Sequence, residues 1–318
     1  MDQPPASYFD TSGWDRRDVI SGGSRMVLVG TQSGEFRVWT RRVGNNPDLK
    51  VLLLHGGPGA SDELYECFDL WFPRAGIEYY YYDQLGSFRS DRPDDASLWT
   101  LERFVDEVEQ VRQALRLHRG NFVLFGQSWG GLLALEYAFH HQQQLKGLVI
   151  SNMMSSSRLY NGYASDVLMP AMDPGVLAEI QRFEAEGKTD DPRYEQLLIE
   201  HHYVLHVCRM PYADWPDPVT RAFGHINQAI YVPMQGPSEL GMSGTLEDWD
   251  RSGDLRHIDV PTLVIGATHD TMDPAHMRWM SRQLPRGRYL HCPNGSHLCQ
   301  FDDPEHFFPG LIDFLTSL

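Results

Sequence analysis

Residues 121–131 read NFVLFGQSWGG and lead into the apolar run LLALEYA at 132–138. The first part, 122–125, is short, apolar and β-prone, which is typical of a buried strand in a parallel sheet. The second part, GQSWG, fits the pattern G-x-S-x-G, in which a serine occupies a strained strand-to-helix turn. Glycines two residues to either side of Ser128 relieve the crowding of the backbones, because glycine has no Cβ. The stretch therefore predicts a strand, a tight turn and a helix, with Ser128 as a candidate nucleophile.

A serine hydroxyl is a weak nucleophile that needs a nearby base, and the base needs a carboxylate to orient it. Two later segments, ATHD and PNGSH, each follow a predicted strand and offer these groups. Such groups gather at the carboxyl ends of the strands of α/β sheets. We therefore predict a catalytic triad of Ser128, Asp270 and His297, in the chain order Ser, Asp, His. Asp273 is the rival carboxylate, although its place just before a proline also suits a helix cap.

The segment HGGPG at residues 55–59 follows a predicted central strand and is too rich in glycine and proline for regular structure. The tetrahedral intermediate of acyl transfer needs two donors for its oxyanion. One is expected to be the backbone N–H of Trp129, directly after the nucleophile. We assign the other to Gly57, because glycine lets the backbone approach a substrate closely. Gly56 beside it is expected to contact the substrate as well.

Strands and helices alternate along most of the chain, which predicts an α/β fold with a mostly parallel sheet and helices on both faces. From 153 to 249 no strong strand signal appears, so we predict a helical cap inserted into a core formed by 1–152 and 250–318. The predicted strands are 26–30, 36–40, 50–54, 78–82, 122–125, 145–150, 261–266 and 288–291. The predicted helices include 101–115, 132–138, 176–186, 194–209, 274–283 and 304–315.

Composition narrows the class of protein further. The net charge of −16 argues against nucleic acid or an anionic membrane as a partner, since both attract basic surfaces. The four cysteines show no C-x-x-C spacing and are expected to be free thiols in a reducing compartment. With no signal-peptide pattern and no apolar run of membrane length, we expect a cytoplasmic location. The oligomeric state is unknown from the sequence.

Several motifs together resemble the proline iminopeptidase (prolyl aminopeptidase) family of α/β-hydrolases. These are HGGPG at 55–59, DQLGSFRS at 83–90, GQSWGG at 126–131 and the pair Asp270 and His297. In the cap, HVCR at 206–209 and GPSEL at 236–240 are similar to the tricorn-associated branch, which includes L-amino-acid amidases. The resemblance implies the α/β-hydrolase fold. It also implies a serine enzyme, without metal or organic cofactor, that removes an N-terminal proline or another small or apolar residue from small peptides or amino-acid amides.

The resemblance further implies a cap glutamate that holds the free α-amino group of the substrate, and Glu239 falls at the matching place in GPSEL. An ammonium in a desolvated pocket needs a carboxylate partner. Two departures concern this pocket. Thr271 stands where the branch often has an acidic residue, and LGSF at 85–88 replaces the usual Arg-Gly-x-Gly. Glu200 and Asp273 are the candidates to supply the missing charge, and we include Glu200 among the substrate-binding residues.

Two other functions fit the same core. An esterase or lactonase acting on a small acyl substrate uses the same triad. A ligand-binding protein that keeps the hydrolase fold without catalysis is the other, and the intact triad argues against it. His202 and His206 are four apart on a predicted helix, a spacing that can bind zinc, but cap histidines without metal are the preferred interpretation.

Overall fold

A computed structural model describes residues 23–318. Eight strands run through these residues: β1 (Gly23–Thr31), β2 (Gly34–Val43), β3 (Lys50–Leu54), β4 (Glu78–Asp83), β5 (Phe122–Gln127), β6 (Gly147–Ser151), β7 (Thr262–Ala267) and β8 (Gly287–Cys292). They form one sheet in the order β1-β2-β4-β3-β5-β6-β7-β8. The β1/β2 and β2/β4 pairs are antiparallel and the other neighbours are parallel. The prediction of a mostly parallel sheet is confirmed, and β1 and β2 add an antiparallel edge to it.

The helices connect and cover these strands. They are α1 (Leu101–Ala114), α2 (Trp129–His141), α3 (Ser157–Tyr163), α4 (Met169–Ala171), α5 (Pro174–Ala185), α6 (Pro192–Leu198), α7 (Val204–His206), α8 (Asp217–Gly224), α9 (Gln228–Met234), α10 (Pro274–Gln283), α11 (Cys299–Asp302) and α12 (Pro304–Thr316). A long 3₁₀ helix, Asp62–Leu70, follows β3. No helix within residues 23–318 is long and apolar enough to cross a membrane.

Side-chain alternation along the central strands builds a core on each face of the sheet. In β5, Leu124 joins a cluster that includes Leu132 of α2. Val123 and Phe125 point to the opposite face and join a cluster that includes Phe307 of α12. All of β5 is buried, as a central strand covered on both faces must be. This burial fixes the carboxyl end of β5, and with it the turn that carries Ser128.

Residues 153–249, all of which lie in the described range, contain helices α3 to α9 and no strand. Many of their apolar residues form a separate cluster that also takes in Leu64 and Leu298 from the rest of the chain, while others, among them Tyr160, Ile230 and Met234, belong to the cluster that includes Leu124. The two ends of the segment are joined, since Ser157 N donates to Trp249 O at 2.8 Å. These contacts agree with the predicted division into core and cap, which remains a prediction.

The helix predicted over 194–209 is interrupted. Helix α6 ends at Leu198, and a π-helical turn, Ile199–Tyr203, separates it from the short α7. The wider turn leaves His202 and Tyr203 on successive positions that are both buried. The turn changes the phase between α6 and α7, and π-helical turns often occur at functional sites.

Candidate active site

Ser128 lies at the turn between β5 and α2, with φ 55° and ψ −128°. A Cβ on Gly126 would lie 1.9 Å from the carbonyl oxygen of Gly130, and a Cβ on Gly130 would lie 2.0 Å from the carbonyl oxygen of Leu54. Both distances are far below van der Waals contact, so only glycine fits at these two positions. The G-x-S-x-G spacing therefore has a steric cause, and it holds Ser128 in a left-handed conformation.

The structure brings Asp270 and His297 together. His297 Nδ1 and Asp270 Oδ1 are 2.8 Å apart, and the Asp270 side chain is fully buried. The same carboxylate oxygen accepts a hydrogen bond from Met272 N at 3.2 Å. Thr271, at the position where the family branch often has an acidic residue, places its Oγ1 3.2 Å from His297 Nδ1. The departure at this position thus adds a neutral hydroxyl beside the pair.

The charges around His297 favour its action as a general base. Burial lowers the pKa of His297, but the charge of Asp270, its hydrogen bond and the charge of Glu239 together raise the pKa above its ordinary value. A raised pKa strengthens the imidazole as a proton acceptor.

Ser128 and His297 line the same cavity. No hydrogen bond joins their side chains in the described part of the chain, and catalytic hydrogen bonds of this kind can tighten only once a substrate is bound. Gly56 borders the serine closely, because a Cβ on Gly56 would lie 3.3 Å from Ser128 Cβ and 3.7 Å from Ser128 Oγ. The loop after β3 therefore passes directly beside the candidate nucleophile.

Gly57 and Trp129, the predicted oxyanion donors, lie on the two segments that flank Ser128. Gly57 has φ +110°, and a Cβ there would lie 2.7 Å from Ala60 N, so the position requires glycine. Trp129 is the first residue of α2, so its backbone N–H has no acceptor within the helix. Both segments can therefore present a free N–H beside the serine.

Gln84, directly after β4, ties these two segments to each other. Its Oε1 accepts a hydrogen bond from the indole N–H of Trp129 at 2.8 Å, and its Nε2 donates to His55 O at 3.2 Å. Its backbone N–H donates to His55 Nε2 at 3.1 Å. Burial lowers the pKa of His55 to about 4, which keeps the ring neutral and able to accept this bond.

A cavity of about 330 Å³ opens beside Ser128 between residues of the predicted core and cap. Among residues 23–318, its lining is largely aromatic and apolar, with four carboxylates and no lysine or arginine. The carboxylates are Asp190, Asp191, Glu195 and Glu239, and the aromatic residues are Tyr194, Tyr203, Phe223 and Tyr231. Such a lining suits a small ligand that carries a positive charge.

Glu239 is partly buried in this lining, and its Oε1 accepts a hydrogen bond from the hydroxyl of Tyr231 at 2.6 Å. Glu200 lies elsewhere. It is exposed, accepts a hydrogen bond from Gln196 Nε2 at 2.8 Å and is absent from the cavity lining. Glu200 comes two residues after Leu198, about 200° round a helix from that lining residue, so it lies on the face turned away from the cavity. The structure thus brings Glu239 to the site and does not bring Glu200.

Asp273, the rival carboxylate, also lies apart from the pair. Its Oδ1 accepts a hydrogen bond from Ala275 N at 2.8 Å, so it caps α10. This is the capping role that its position before Pro274 suggested.

Sequence reasoning missed three polar residues that organise the site. Gln127 Nε2 donates to His297 O at 2.7 Å. Asn152 Nδ2 donates to Asp270 Oδ2 at 2.7 Å. Gln84 is the third. Each is a polar residue at, or directly after, the carboxyl end of a buried apolar strand, and that position is the signal that could have found them.

The predicted cap is bound to the predicted core near the loop that carries Gly57. Glu63 is buried and binds Arg221, and its Oε2 lies 2.7 Å from His225 Nδ1. The ring of His225 stacks on Phe88 with centroids 3.9 Å apart. Asn227 Nδ2 donates to Gly86 O at 2.8 Å. The unusual segment LGSF at 85–88 therefore contacts the cap.

His202 and His206, the zinc alternative, have ring centroids 5.1 Å apart. His202 Nε2 lies 3.3 Å from Glu239 O, and His206 Nδ1 lies 2.9 Å from His269 O. Over residues 23–318 no group of three or more His, Cys, Asp or Glu side chains is placed to hold a metal ion. The two histidines instead contact the backbone on either side of the site.

Comparison with known proteins places these features in a family. The family model described as the alpha/beta hydrolase fold matches residues 50–304. The proline iminopeptidase of Flavobacterium johnsoniae is 51% identical over 293 residues, which cover 92% of this chain and 98% of that protein.

Two crystal structures are also similar. That of VinJ has a TM-score of 0.85 at 32% identity and covers 92% of this chain and 99% of its own. That of the proline iminopeptidase of Mycobacterium smegmatis has a TM-score of 0.81 at 30% identity and covers 93% and 98%. The predicted α/β-hydrolase fold is confirmed, and so is the predicted family resemblance.

Proposed function

This chain belongs to the proline iminopeptidase family of α/β-hydrolases, and we propose that it removes a single N-terminal residue from small peptides or amino-acid amides. It is a serine hydrolase of the aminopeptidase kind. The observation that carries the proposal is one cavity that holds Ser128, His297 and Glu239 together. This cavity offers a nucleophile, a base and a carboxylate for a substrate ammonium within one small volume.

In the proposed mechanism, Ser128 Oγ attacks the carbonyl carbon of the N-terminal residue. His297 Nε2 takes the hydroxyl proton and later gives it to the leaving amine, while Asp270 orients the ring through the 2.8 Å contact at Nδ1. The backbone N–H groups of Gly57 and Trp129 stabilise the oxyanion. Water then attacks the acyl-enzyme with His297 as base, which frees the residue and restores the serine.

Glu239 is proposed to bind the free α-amino group of the substrate. Its Oε1 is already held by the hydroxyl of Tyr231 at 2.6 Å, so the carboxylate is ordered before a substrate arrives. The cavity of about 330 Å³ is small. A proline ring or another small apolar side chain fits such a volume among the aromatic residues.

An esterase or lactonase would use the same triad, so the substrate-binding part of the site must distinguish these functions from an aminopeptidase. The relatives at 51% identity are proline iminopeptidases, which favours the aminopeptidase over the esterase.

We further propose that residues 153–249 act as the substrate-recognition cap. We also propose a cytoplasmic location, supported by four free cysteines, of which three are buried.

The test is a panel of substrates with wild type and Ser128→Ala. We expect proline and alanine arylamides to be cleaved faster than their N-blocked forms and faster than short p-nitrophenyl esters. We expect Ser128→Ala to remain folded and to lose at least about a thousandfold in turnover. Ser165→Ala, an exposed serine of the cap, serves as the matched control and should behave as wild type. Near-normal turnover by Ser128→Ala would refute the mechanism, and preference for esters would refute the substrate class.

A further inference from the structure

Asn152 lies directly after β6 and is fully buried. Its side-chain amide connects the two loops that carry the acid and the base. Asn152 Nδ2 donates to Asp270 Oδ2 at 2.7 Å and to Ser296 O at 3.2 Å. Asp270 Oδ2 is the carboxylate oxygen that does not face the imidazole, because His297 contacts Oδ1. The two oxygens of Asp270 are thus held from opposite sides.

The orientation of this amide is fixed by its own neighbours. Asn152 Oδ1 accepts hydrogen bonds from Ser151 Oγ at 2.6 Å and from the thiol of Cys299 at 3.3 Å. A flipped amide would turn its oxygen towards Asp270 Oδ2 and Ser296 O, both of which can only accept. The chemistry of the four partners therefore requires the nitrogen to face Asp270.

The backbone at this position is as constrained as the side chain. Asn152 has φ 51°, a left-handed conformation that asparagine and glycine tolerate better than other residues. Its N–H donates to Ile265 O of β7 at 2.9 Å, which anchors the residue to the strand that leads to Asp270. The side chain consequently leaves the chain at a fixed angle towards the acid loop.

We propose that Asn152 is a positioning residue, which holds the Asp270 carboxylate in the orientation that His297 needs and offsets part of its buried charge. The proposal rests on the proposed role of Ser128 as nucleophile. Without the Asn152 donor, the carboxylate charge is less well compensated and attracts the imidazolium more strongly. His297 then keeps its proton to a higher pH, so the neutral base needed for catalysis appears later on the pH scale.

Other titratable groups act on the same pair, and an Asn152 variant keeps all of them. From the cap these are Glu239, Tyr160, His202 and His206, and from the segment after His297 they are Cys299 and Asp302. Two phenols, Tyr163 and Tyr289, also interact with Asp270. A change in the pH profile of an Asn152 variant can therefore be assigned to the lost amide by comparison with wild type.

The test is Asn152→Gly, which keeps the left-handed backbone and removes the amide. We expect kcat/KM on a proline arylamide to fall roughly 10- to 100-fold, mainly through kcat. We also expect the acid limb of its pH profile to move up by about 0.5 to 1 pH unit. Arg116→Gly is the matched control, since Arg116 has φ 53° and is exposed at the end of α1. It should leave both quantities unchanged.

A fluorophosphonate provides a second readout that does not depend on the natural substrate. The rate at which it labels Ser128, followed against pH by intact mass, should show the same upward shift in Asn152→Gly. If wild type labels but cleaves no aminoacyl arylamide, the proposed substrate class fails while the role of Asn152 is still measured.

Ser151→Ala covers the case in which Asn152→Gly does not fold. It keeps Asn152 but removes the 2.6 Å bond that orients the amide, so we expect a smaller shift in the same direction. A folded Asn152→Gly whose activity falls without any shift of the acid limb has lost structure only, and that result would overturn the proposal. Unchanged activity in Asn152→Gly, or an unshifted limb in Ser151→Ala when Asn152→Gly does not fold, would overturn it as well.

Discussion

At the scale of single residues, two buried histidines have pKa values shifted in opposite directions by their neighbours. Burial lowers the pKa of His55 to about 4, and the hydrogen bond to the backbone of Gly56 and the charge of Asp62 offset only part of this effect. Burial lowers the pKa of His297 as well, but Asp270, Glu239 and Asp302 together more than offset this effect. His55 is therefore a neutral hydrogen-bond acceptor for Gln84 N–H at the start of the loop that carries Gly57. His297, in contrast, is suited to accept and return a proton.

The raised pKa of His297 predicts the acid limb of the pH profile. Catalysis needs the neutral imidazole, so kcat/KM should rise with pH and reach half its plateau above about 6.5, the ordinary histidine value. The measurement is kcat/KM on a proline arylamide between pH 5 and 9. Changing Asp270 to Asn removes the charge that raises the pKa, so any residual activity should titrate at a lower pH. A wild-type midpoint well below 6.5 would contradict this account.

A second prediction at this scale concerns the substrate amine. Glu239→Gln keeps the shape of the side chain and its contact with Tyr231 but removes the charge. We expect it to raise KM for free-amine substrates roughly tenfold or more and to leave N-blocked substrates little changed. Glu200→Gln is the control, since Glu200 is exposed and lies outside the cavity lining. Equal effects of Glu239→Gln on both substrate types would remove Glu239 from amine recognition.

At the scale of elements, the carboxyl ends of β3 and β4 meet in a cluster of two carboxylates and one arginine. Asp62, in the 3₁₀ helix after β3, donates its N–H to Asp83 Oδ1 of β4 at 2.9 Å. Arg89 forms ion pairs with both carboxylates, and its Nη1 lies 3.3 Å from Asp83 Oδ2. Burial and the charge of Asp83 raise the pKa of Asp62 to about 8. The cluster joins the 3₁₀ helix that follows the Gly57 loop to the end of β4, directly before Gln84.

This cluster predicts a pH-dependent stability difference for Asp62→Asn. A carboxyl whose folded pKa lies above its unfolded value contributes stability at low pH and loses it as pH rises through the folded pKa. The wild type should therefore lose stability relative to Asp62→Asn between about pH 4 and 8, by at least about 1 kcal/mol. Chemical denaturation at several pH values measures it. Asp94→Asn, at an exposed aspartate, is the control, and a pH-independent difference for Asp62→Asn would contradict the prediction.

At the scale of the whole molecule, the net charge of −16 and the acidic cavity lining act together. In the part of the chain that the structure describes, the lining carries four carboxylates and no lysine or arginine, so the field near Ser128 has the same sign as the net charge of the chain. A positively charged substrate is attracted into such a site from a distance, and salt weakens the attraction.

The corresponding prediction is a salt dependence that follows substrate charge. KM for proline arylamide, which carries a free ammonium, should rise roughly two- to fivefold as the ionic strength increases from about 0.02 to 0.5 M. The rate at which a neutral fluorophosphonate labels Ser128 should change little over the same range, because it carries no charge to steer. A salt-independent KM would show that long-range attraction plays no part in binding.

The sequence determined the order of the elements and the turn at Ser128, and it predicted Asp270 and His297 as a pair, which the structure places in contact. These rest on local rules, since apolar runs make strands and glycines beside Ser128 relieve a clash between neighbouring backbones. The bounds of α10 and β3 agree with the prediction for the same reason.

Only the tertiary structure decided which polar groups meet. Asn152 and Asp270 are 118 positions apart, and Gln127 and His297 are 170 apart. Their contacts exist because parallel strands bring their carboxyl ends to one edge of the sheet. The place of Glu200 was decided in the same way, because packing of the predicted cap determines which helix face meets the cavity, and Glu200 lies on the opposite face. Local sequence specifies backbone geometry, but a contact between distant side chains depends on how whole elements pack, which no single stretch encodes.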